Sequence, residues 1–230
     1  MHHKENVLRR AVFCFIIVFL TLQSGFTNAV EDSIHIAMPN SPKSLNYFDA
    51  TDAWSQKVLR LFHMSLYVKG PVDGKMIPWL AESPPIPGDQ PNSVTIRLRE
   101  AKWDDGSPVT VADLMFTVKT IQEFQVPGHM EKWQDVAKME ALDERTLRFT
   151  LKGPSPGFFK RALFAPFVQK KRWSQMVLSA RAAHDPLKTL TAFAPRTVCS
   201  NGPFFLQTYT EPFFMVLKQN PHFLGRGHEI

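Results

Sequence analysis

Paired acidic residues and histidines are the side chains of this sequence best suited to catalysis or metal binding. Asp104 and Asp105 are adjacent, and neighbours on an extended chain point to opposite sides, which places them badly for general acid–base catalysis. A turn held by Asx hydrogen bonds is the better interpretation. Two of the eight histidines lie in the first three residues, and the other six, including His222 and His228, lack metal-ligand spacing. We therefore predict no catalytic residue, no metal site and no cofactor.

Other signatures of enzymes are missing from the sequence as well. It contains no G-x-S-x-G nucleophile elbow, no H-E-x-x-H, no phosphate-binding glycine loop and no C-x-x-C. Cys14 lies in the apolar N-terminal run, so Cys199 is left as a lone thiol without a disulfide partner. A buried, inert cysteine is the expected outcome. These observations argue against an enzyme.

The N-terminal segment has the three-part pattern of a secretory signal. Three basic residues are followed by the apolar run 11–20 and by a polar stretch that ends in Thr27-Asn28-Ala29. The apolar run is too short to span a bilayer comfortably. We predict a cleavable signal peptide over residues 1–29 and a periplasmic mature protein that meets the membrane only through a partner.

Composition and charge exclude some classes of function. With 44% hydrophobic and 12% aromatic residues, the chain can bury a real core. Its net charge of +6 is scattered, apart from the run Lys170-Lys171-Arg172. Such a short run is more typical of a solvated helix start than of a nucleic-acid site, so we expect no nucleic-acid partner.

Apolar spacing predicts a mixture of strands and helices. Residues 33–38 alternate and predict a strand, and residues 50–67 carry an apolar stripe at helical spacing. A hairpin turn is predicted at 70–74, a proline-rich loop at 82–91 and a strand at 94–99. The order follows no regular β–α alternation, which favours an α+β fold over a doubly wound one.

The second half of the chain continues this mixed pattern. Thr110 followed by Asp113 predicts a capping box and a helix start. The spacing predicts two hairpins, 136–142 with 146–151 and 204–209 with 214–218. Short helices are predicted near 158–163 and at 170–181, followed by a long loop that leads to Gly202.

Several motifs, in a fixed order, resemble one known family. The strongest is a tryptophan, D-G and P-V-T signature that opens a helix, formed by Trp103, Asp105, Gly106, Pro108, Thr110 and Asp113. Segments 42–45, 77–83, 141–151, 201–204 and 220–223 are similar to further family motifs. The sequence thus resembles, over residues 33–223, the bacterial extracellular solute-binding proteins that deliver dipeptides, oligopeptides or nickel complexes to ABC transporters.

The resemblance implies a periplasmic-binding-protein-like architecture in which two lobes close over a solute. Residues 30–48 and 153–230 would form part of the first lobe, and residues 49–152 a small accessory domain that carries the tryptophan signature. Family members are much longer, so the chain is expected to be the amino-terminal half, without the second lobe. The implied partners are a peptide or related solute and the permease subunits of an ABC transporter.

Cleft residues follow only from the loops that the resemblance places near the solute. They are Asn40, Ser41 and Tyr47 after the first strand, Trp133 as an aromatic wall, and Ser200, Asn201 and Gly202 before the last hairpin. The tryptophan signature is expected to be structural, since Gly106 permits a tight turn and Thr110 caps a helix.

Two hypotheses stay open at this point. One is the solute-binding component of an ABC transporter, present as a partial chain. The other is a secreted interaction module outside transport, or a fragment without function. The residues of the sequence do not name the solute.

Overall fold

The computed structural model describes residues 37–90, 92–195, 197–210 and 214–225. The predicted signal peptide, and residues 33–36 of the predicted first strand, lie outside these ranges. Contacts between Cα atoms group Pro39–Ile230 into one compact unit, apart from Met1–Met38, and the fold described below is that of the larger unit. Among the described residues, no helix has the length and apolar character needed to cross a bilayer.

Helices and strands are mixed along the chain. The helices are α1 Ala53–Phe62, α2 Val111–Phe124, α3 Met130–Trp133, α4 Pro156–Lys160, α5 Lys170–Arg181 and α6 Pro186–Thr191, with a 3₁₀ turn at Ala162–Phe164. The strands are β1 Tyr67–Lys69, β2 Met76–Pro78, β3 Ile86–Pro87, β4 Ser93–Arg97, β5 Val136–Ala141, β6 Thr146–Leu151, β7 Phe204–Thr210 and β8 Phe214–Gln219. The predicted α+β class is confirmed.

All strand pairs in the described residues are antiparallel. A four-stranded sheet has the order β3-β4-β6-β5, while β1 pairs with β2 and β7 pairs with β8 in separate two-stranded sheets. The predicted hairpins β5–β6 and β7–β8 are therefore confirmed. In the first of them, Asp143 accepts hydrogen bonds from the backbone N–H groups of Arg145 and Thr146, which fixes the turn.

Helix α1 is shorter than its apolar stripe predicted. Asp52 caps its start by accepting hydrogen bonds from the N–H groups of Trp54 and Ser55, both at 3.0 Å. The helix ends at Phe62 because His63 is extended. Leu66, which the sequence placed in the same helix, is buried beyond its end.

Two elements occur where loops were predicted. Helix α6 lies in the long loop, and it is capped by Asp185, whose carboxylate accepts the N–H of Lys188 at 3.0 Å, with Pro186 in its first turn. Strand β3 lies in the proline-rich loop and pairs with β4 through only two residues. Prolines and turn-forming residues are frequent in both segments, so neither short element was predicted from the sequence.

One hydrophobic core runs through the unit. It includes residues from the four-stranded sheet, from α2 and α5 and from the segments between them. Its largest fully buried side chains include Trp103, Trp133, Tyr67, Phe48 and Phe149. Helix α2 packs against α5, where Glu123 and Arg181 form an exposed bidentate ion pair.

Candidate functional site

The tryptophan signature forms a tight turn ahead of α2. The N–H of Trp103 donates to the carbonyl of Ser107 at 2.8 Å, and the N–H of Gly106 donates to the carbonyl of Trp103 at 2.9 Å. Gly106 has a φ of +79°, a conformation that favours glycine. Asp105 accepts the N–H of Ser107 at 3.0 Å. This is the predicted Asx-supported turn.

Asp113 connects this turn to two helices. Its carboxylate accepts hydrogen bonds from the indole Nε1 of Trp103 at 3.2 Å, from the N–H of Thr110 at 3.0 Å and from the N–H of Lys170 at 2.8 Å. The hydrogen bond from Thr110 belongs to the capping box at the start of α2, and the hydrogen bond from Lys170 satisfies the first N–H group of α5. Burial raises the pKa of the Asp113 carboxyl, and these hydrogen bonds oppose the rise.

Asp105 holds the outer side of the same turn. The Nε2 of Gln169 lies 3.2 Å from its Oδ1, and the Nζ of Lys171 lies 3.2 Å from its Oδ2. Burial raises the pKa of Asp105, but hydrogen bonds from Ser107, Lys171 and Gln169 outweigh it and hold that pKa well below its usual range. The carboxylate therefore stays ionised as a structural anchor of the turn.

The segment Ser200-Asn201-Gly202 crosses directly over the end of α1. The N–H groups of Asn201 and Gly202 donate to the carbonyl of Phe62 at 3.0 and 2.8 Å, and the Ser200 hydroxyl donates to the same oxygen at 2.7 Å. Asn201 Oδ1 accepts the N–H of Met64 at 2.8 Å. The backbones approach so closely that a Cβ on Gly202 would lie 2.9 Å from the Phe62 carbonyl oxygen.

Asp104 and Asn220 tie this crossing to the rest of the fold. The N–H of Asp104 donates to the carbonyl of Ser200 at 2.7 Å, and the Asp104 carboxylate accepts the N–H of Ser200 at 3.1 Å. The side chain of Asn220 donates to the carbonyl of Gly202 at 3.0 Å. The tryptophan signature and the predicted ligand segment therefore belong to one connected structure.

Two buried histidines lie beside this crossing. The ring of Tyr47 lies 6.4 Å from that of His63 and 4.8 Å from that of His129, and His63 also contacts Trp103 edge-on at 6.4 Å. The Tyr47 hydroxyl donates to the carbonyl of Pro166 at 2.6 Å. Among the described residues, His63 Nδ1 and both ring nitrogens of His129 make no hydrogen bond within ordinary geometry.

Burial keeps both histidines neutral. It lowers the pKa of His63 to about 3, and burial together with the charge of Lys132 lowers the pKa of His129 to about 3. This pair was not predicted, because the two histidines lie far apart in the sequence and have no metal-ligand spacing. His63 could have been noticed, since it directly follows the apolar stripe of α1.

The seven predicted cleft residues have different environments. Asn40 and Ser41 are exposed, whereas the other five are buried, namely Tyr47, Trp133, Ser200, Asn201 and Gly202. The structure brings Tyr47 and the 200–202 segment together around His63. Trp133 lies in a separate part of the core, where its ring stacks on Phe149 with centroids 6.4 Å apart. Their role in solute binding stays a prediction.

Two clefts on the described residues are shallow. One has a volume of about 290 Å³ and lies between the turn at Ser107 and the start of α5, near Gln169 and Ser174. The other, about 220 Å³, lies between Pro85, Leu151 and Phe159. No group of three or more His, Cys, Asp or Glu side chains within the described ranges is placed to hold a metal ion. The arrangement provides a rigid scaffold with partial clefts.

Comparison with known proteins gives the family context. Residues 75–229 match the model of "Bacterial extracellular solute-binding proteins, family 5 Middle". Peptidoglycan-binding protein YepA of Agrobacterium fabrum is 30% identical over 127 residues, which cover 55% of this chain and 19% of YepA. Glutathione-binding protein GsiB of Escherichia coli K12 is 25% identical over 202 residues, covering 86% of this chain and 36% of GsiB.

A solved structure supports the same relationship. The oligopeptide ABC transporter periplasmic oligopeptide-binding protein of Thermotoga maritima, bound to mannohexaose, superposes with a TM-score of 0.66 at 25% identity. The match covers 82% of this chain and 33% of that protein. The chain thus spans about a third or less of the length of these relatives, and its mixed fold is that of the matching part of a periplasmic binding protein. Because the family model matches more than half of the residues of this chain, the chain belongs to the bacterial extracellular solute-binding proteins of family 5.

Proposed function

We propose that this chain is part of the periplasmic solute-binding component of an ABC transporter, and that its solute is a peptide or a related small molecule. The observation that carries the proposal is the shared fold with the Thermotoga oligopeptide-binding protein over 82% of this chain. GsiB, whose name records glutathione binding, is similar over 86% of the chain. The permease subunits of the transporter would be the protein partners.

The rigid crossing around Phe62 and Ser200 supports this role physically. A solute-binding protein gains affinity when preorganised walls close over the solute and exclude water. The Asp113 and Ser200 hydrogen bonds fix α1, α2 and α5 relative to one another without using exposed side chains. Asn40 and Ser41 are exposed, so they are the predicted cleft residues that a solute could reach directly.

Solute uptake in the source bacterium tests the proposed function. The gene is deleted, and uptake of radiolabelled dipeptides, tripeptides and glutathione is measured, with a labelled free amino acid as the control. We expect uptake of at least one peptide solute to fall and to return when the gene is supplied on a plasmid. Unchanged uptake of every peptide solute would contradict the transport role.

A further inference from the structure

Asn201 and Gly202 form the one Asn-Gly pair in this sequence. An asparagine followed by glycine is chemically unstable in a flexible chain, because glycine has no side chain that would shield its backbone nitrogen from the asparagine amide. The pair therefore marks a position where deamidation can occur. How the fold holds the two residues decides whether the reaction takes place.

The crossing of residues 200–202 over the end of α1 requires both members of this pair. Asn201 Oδ1 accepts the N–H of Met64 at 2.8 Å and so satisfies a buried backbone donor. Gly202 has no room for a side chain, since a Cβ would lie 2.9 Å from the Phe62 carbonyl oxygen. The residues that close the crossing are therefore the same residues that create the reactive pair.

The closed crossing restrains the backbone nitrogen of Gly202, which is the attacking atom in deamidation. Its N–H donates to the Phe62 carbonyl at 2.8 Å and lies 3.1 Å from the Ser200 hydroxyl oxygen. Attack on the Asn201 side chain would break these hydrogen bonds and rotate the peptide group. Because Met64 holds Oδ1 of the same side chain, the amide carbon Cγ of Asn201 is fixed as well.

Burial also excludes the water that deamidation consumes. Asn201 is 1% exposed, and Ser200 beside it is fully buried. Nδ2 of Asn201, which would leave as ammonia, is enclosed and makes no hydrogen bond to the described part of the chain. Protection therefore depends on the restrained Gly202 nitrogen and on the exclusion of water, and both end when the crossing opens.

We propose that Asn201 is a deamidation site that the closed crossing protects and that each opening of the crossing exposes. In the open chain, hydroxide removes the proton of the Gly202 nitrogen, which bonds to Cγ of Asn201. The Cγ–Nδ2 bond breaks, and ammonia leaves with a proton from water, which restores the hydroxide. A second water molecule opens the succinimide ring at either carbonyl carbon and yields aspartate or isoaspartate, without oxidation or reduction. This chemistry lies outside the proposed function and does not depend on it.

Modification should prevent the crossing from closing again. In isoaspartate the main chain runs through Cβ and Cγ of residue 201, which lengthens the backbone between Ser200 and Gly202. Both of these residues donate to the same Phe62 carbonyl oxygen, so their spacing matters. Aspartate keeps the acceptor for Met64 but places a carboxylate in a buried position. Opening followed by deamidation therefore makes loss of the fold irreversible.

Peptide mapping by mass spectrometry tests the protection. The chain is incubated in mildly alkaline buffer with and without concentrated urea, and the fractions of aspartate and isoaspartate at residue 201 are followed with time. We expect deamidation of Asn201 to be at least about tenfold faster in urea, where the crossing is open. Equal rates in the two conditions, or no reaction in urea, would overturn the proposal.

Variants assign the reaction to the named atoms. In urea, where folding has no influence, Gly202→Ala should slow deamidation of Asn201 at least about tenfold, because a methyl group shields the attacking nitrogen. In buffer, Ser200→Ala removes a hydroxyl that contacts Phe62 and Gly202 and should speed the reaction at least about threefold. Ser179→Ala, at an exposed position on α5, should leave the rate unchanged.

Circular dichroism shows whether Ser200→Ala is folded. If it is unfolded, it should react in buffer at the rate of the parent chain in urea, so either state tests the claim. A parent-like rate for Gly202→Ala in urea, or for Ser200→Ala in buffer, would contradict the proposed mechanism.

Refolding tests the irreversible step. The chain is partly deamidated in urea and refolded by dilution, and the monomer is separated from aggregate. We expect isoaspartate at residue 201 to be depleted at least about fivefold in the refolded monomer relative to the starting mixture. Equal contents in monomer and mixture would show that the modified chain still closes the crossing, and the proposal would fail. None of these measurements depends on solute uptake.

Discussion

Trp103 and Asp113 are joined inside the core by a hydrogen bond of 3.2 Å between the indole Nε1 and Oδ2, although they are ten positions apart in the sequence. The same carboxylate accepts the first N–H of α5 at 2.8 Å. Trp103 is fully buried and Asp113 nearly so. The tryptophan signature therefore acts as a structural junction between α2 and α5.

Replacing Asp113 tests the importance of this junction. Asp113→Ala leaves three donors without their acceptor, two of them backbone groups at helix starts, so we expect the free energy of unfolding to fall by about 3 kcal/mol. Asp89→Ala, at an exposed position, should change it by less than about 0.5 kcal/mol. Urea denaturation followed by tryptophan fluorescence measures both. Equal losses in the two variants would contradict the assigned role.

The close crossing at Gly202 predicts a steric effect. A Cβ there would lie 2.8 Å from the Leu61 carbonyl oxygen and 2.9 Å from the Phe62 carbonyl carbon, and these are backbone atoms that cannot rotate away. We expect Gly202→Ala to destabilise the fold by about 1 to 3 kcal/mol. Gly153→Ala is the control, since its Cβ would meet nothing within 4 Å. Thermal unfolding should separate the two, and a Gly202→Ala protein as stable as the parent would contradict the observed approach.

Acid should destabilise the fold through His63 and His129. Both histidines have a folded-state pKa of about 3, below the ordinary value of 6.5, so the unfolded chain binds more protons as the pH falls below that value. Stability is therefore present above about pH 6.5 and is lost progressively towards pH 3. From about pH 7.5 to about pH 5.5 we expect the pair to lower the free energy of unfolding by about 2 to 3 kcal/mol.

Histidine variants isolate this effect. The His63→Phe/His129→Phe protein should lose most of the acid-dependent change in urea midpoint, whatever its absolute stability. His184→Phe changes an exposed histidine and serves as the control. A slope of stability against pH that is identical in the parent and the double variant would argue against the buried neutral pair.

Calorimetry of the chain alone tests whether it holds a solute by itself. The two clefts described above are open and have volumes of about 290 and 220 Å³, whereas tight small-molecule sites bury most of the ligand surface. We therefore expect no binding with micromolar affinity from a mixture of dipeptides. Micromolar binding by this chain alone would show that its own residues complete a site.

Much of the fold could be predicted because its signals are local. Thr110 and Asp113 lie three positions apart, as a capping box requires, and so predict a helix start. The alternation of residues 146–151 predicts a strand. Helix α6 and strand β3 were missed because prolines and turn residues dominate those segments. The signal peptide stays a prediction, as do the division into lobe and accessory domain and the cleft roles of the seven residues.

The amino-acid sequence by itself determined most of the helices and strands and the family likeness, because caps, turns and apolar periodicity depend on residues a few positions apart. Only the tertiary structure decided that Ser200, Asn201 and Gly202 lie on the Phe62 carbonyl and that Tyr47 packs against both His63 and His129. These contacts join residues that lie from 16 to 140 positions apart in the sequence. They depend on burial in a shared core, and a pattern of neighbouring residues cannot predict which distant segments meet there.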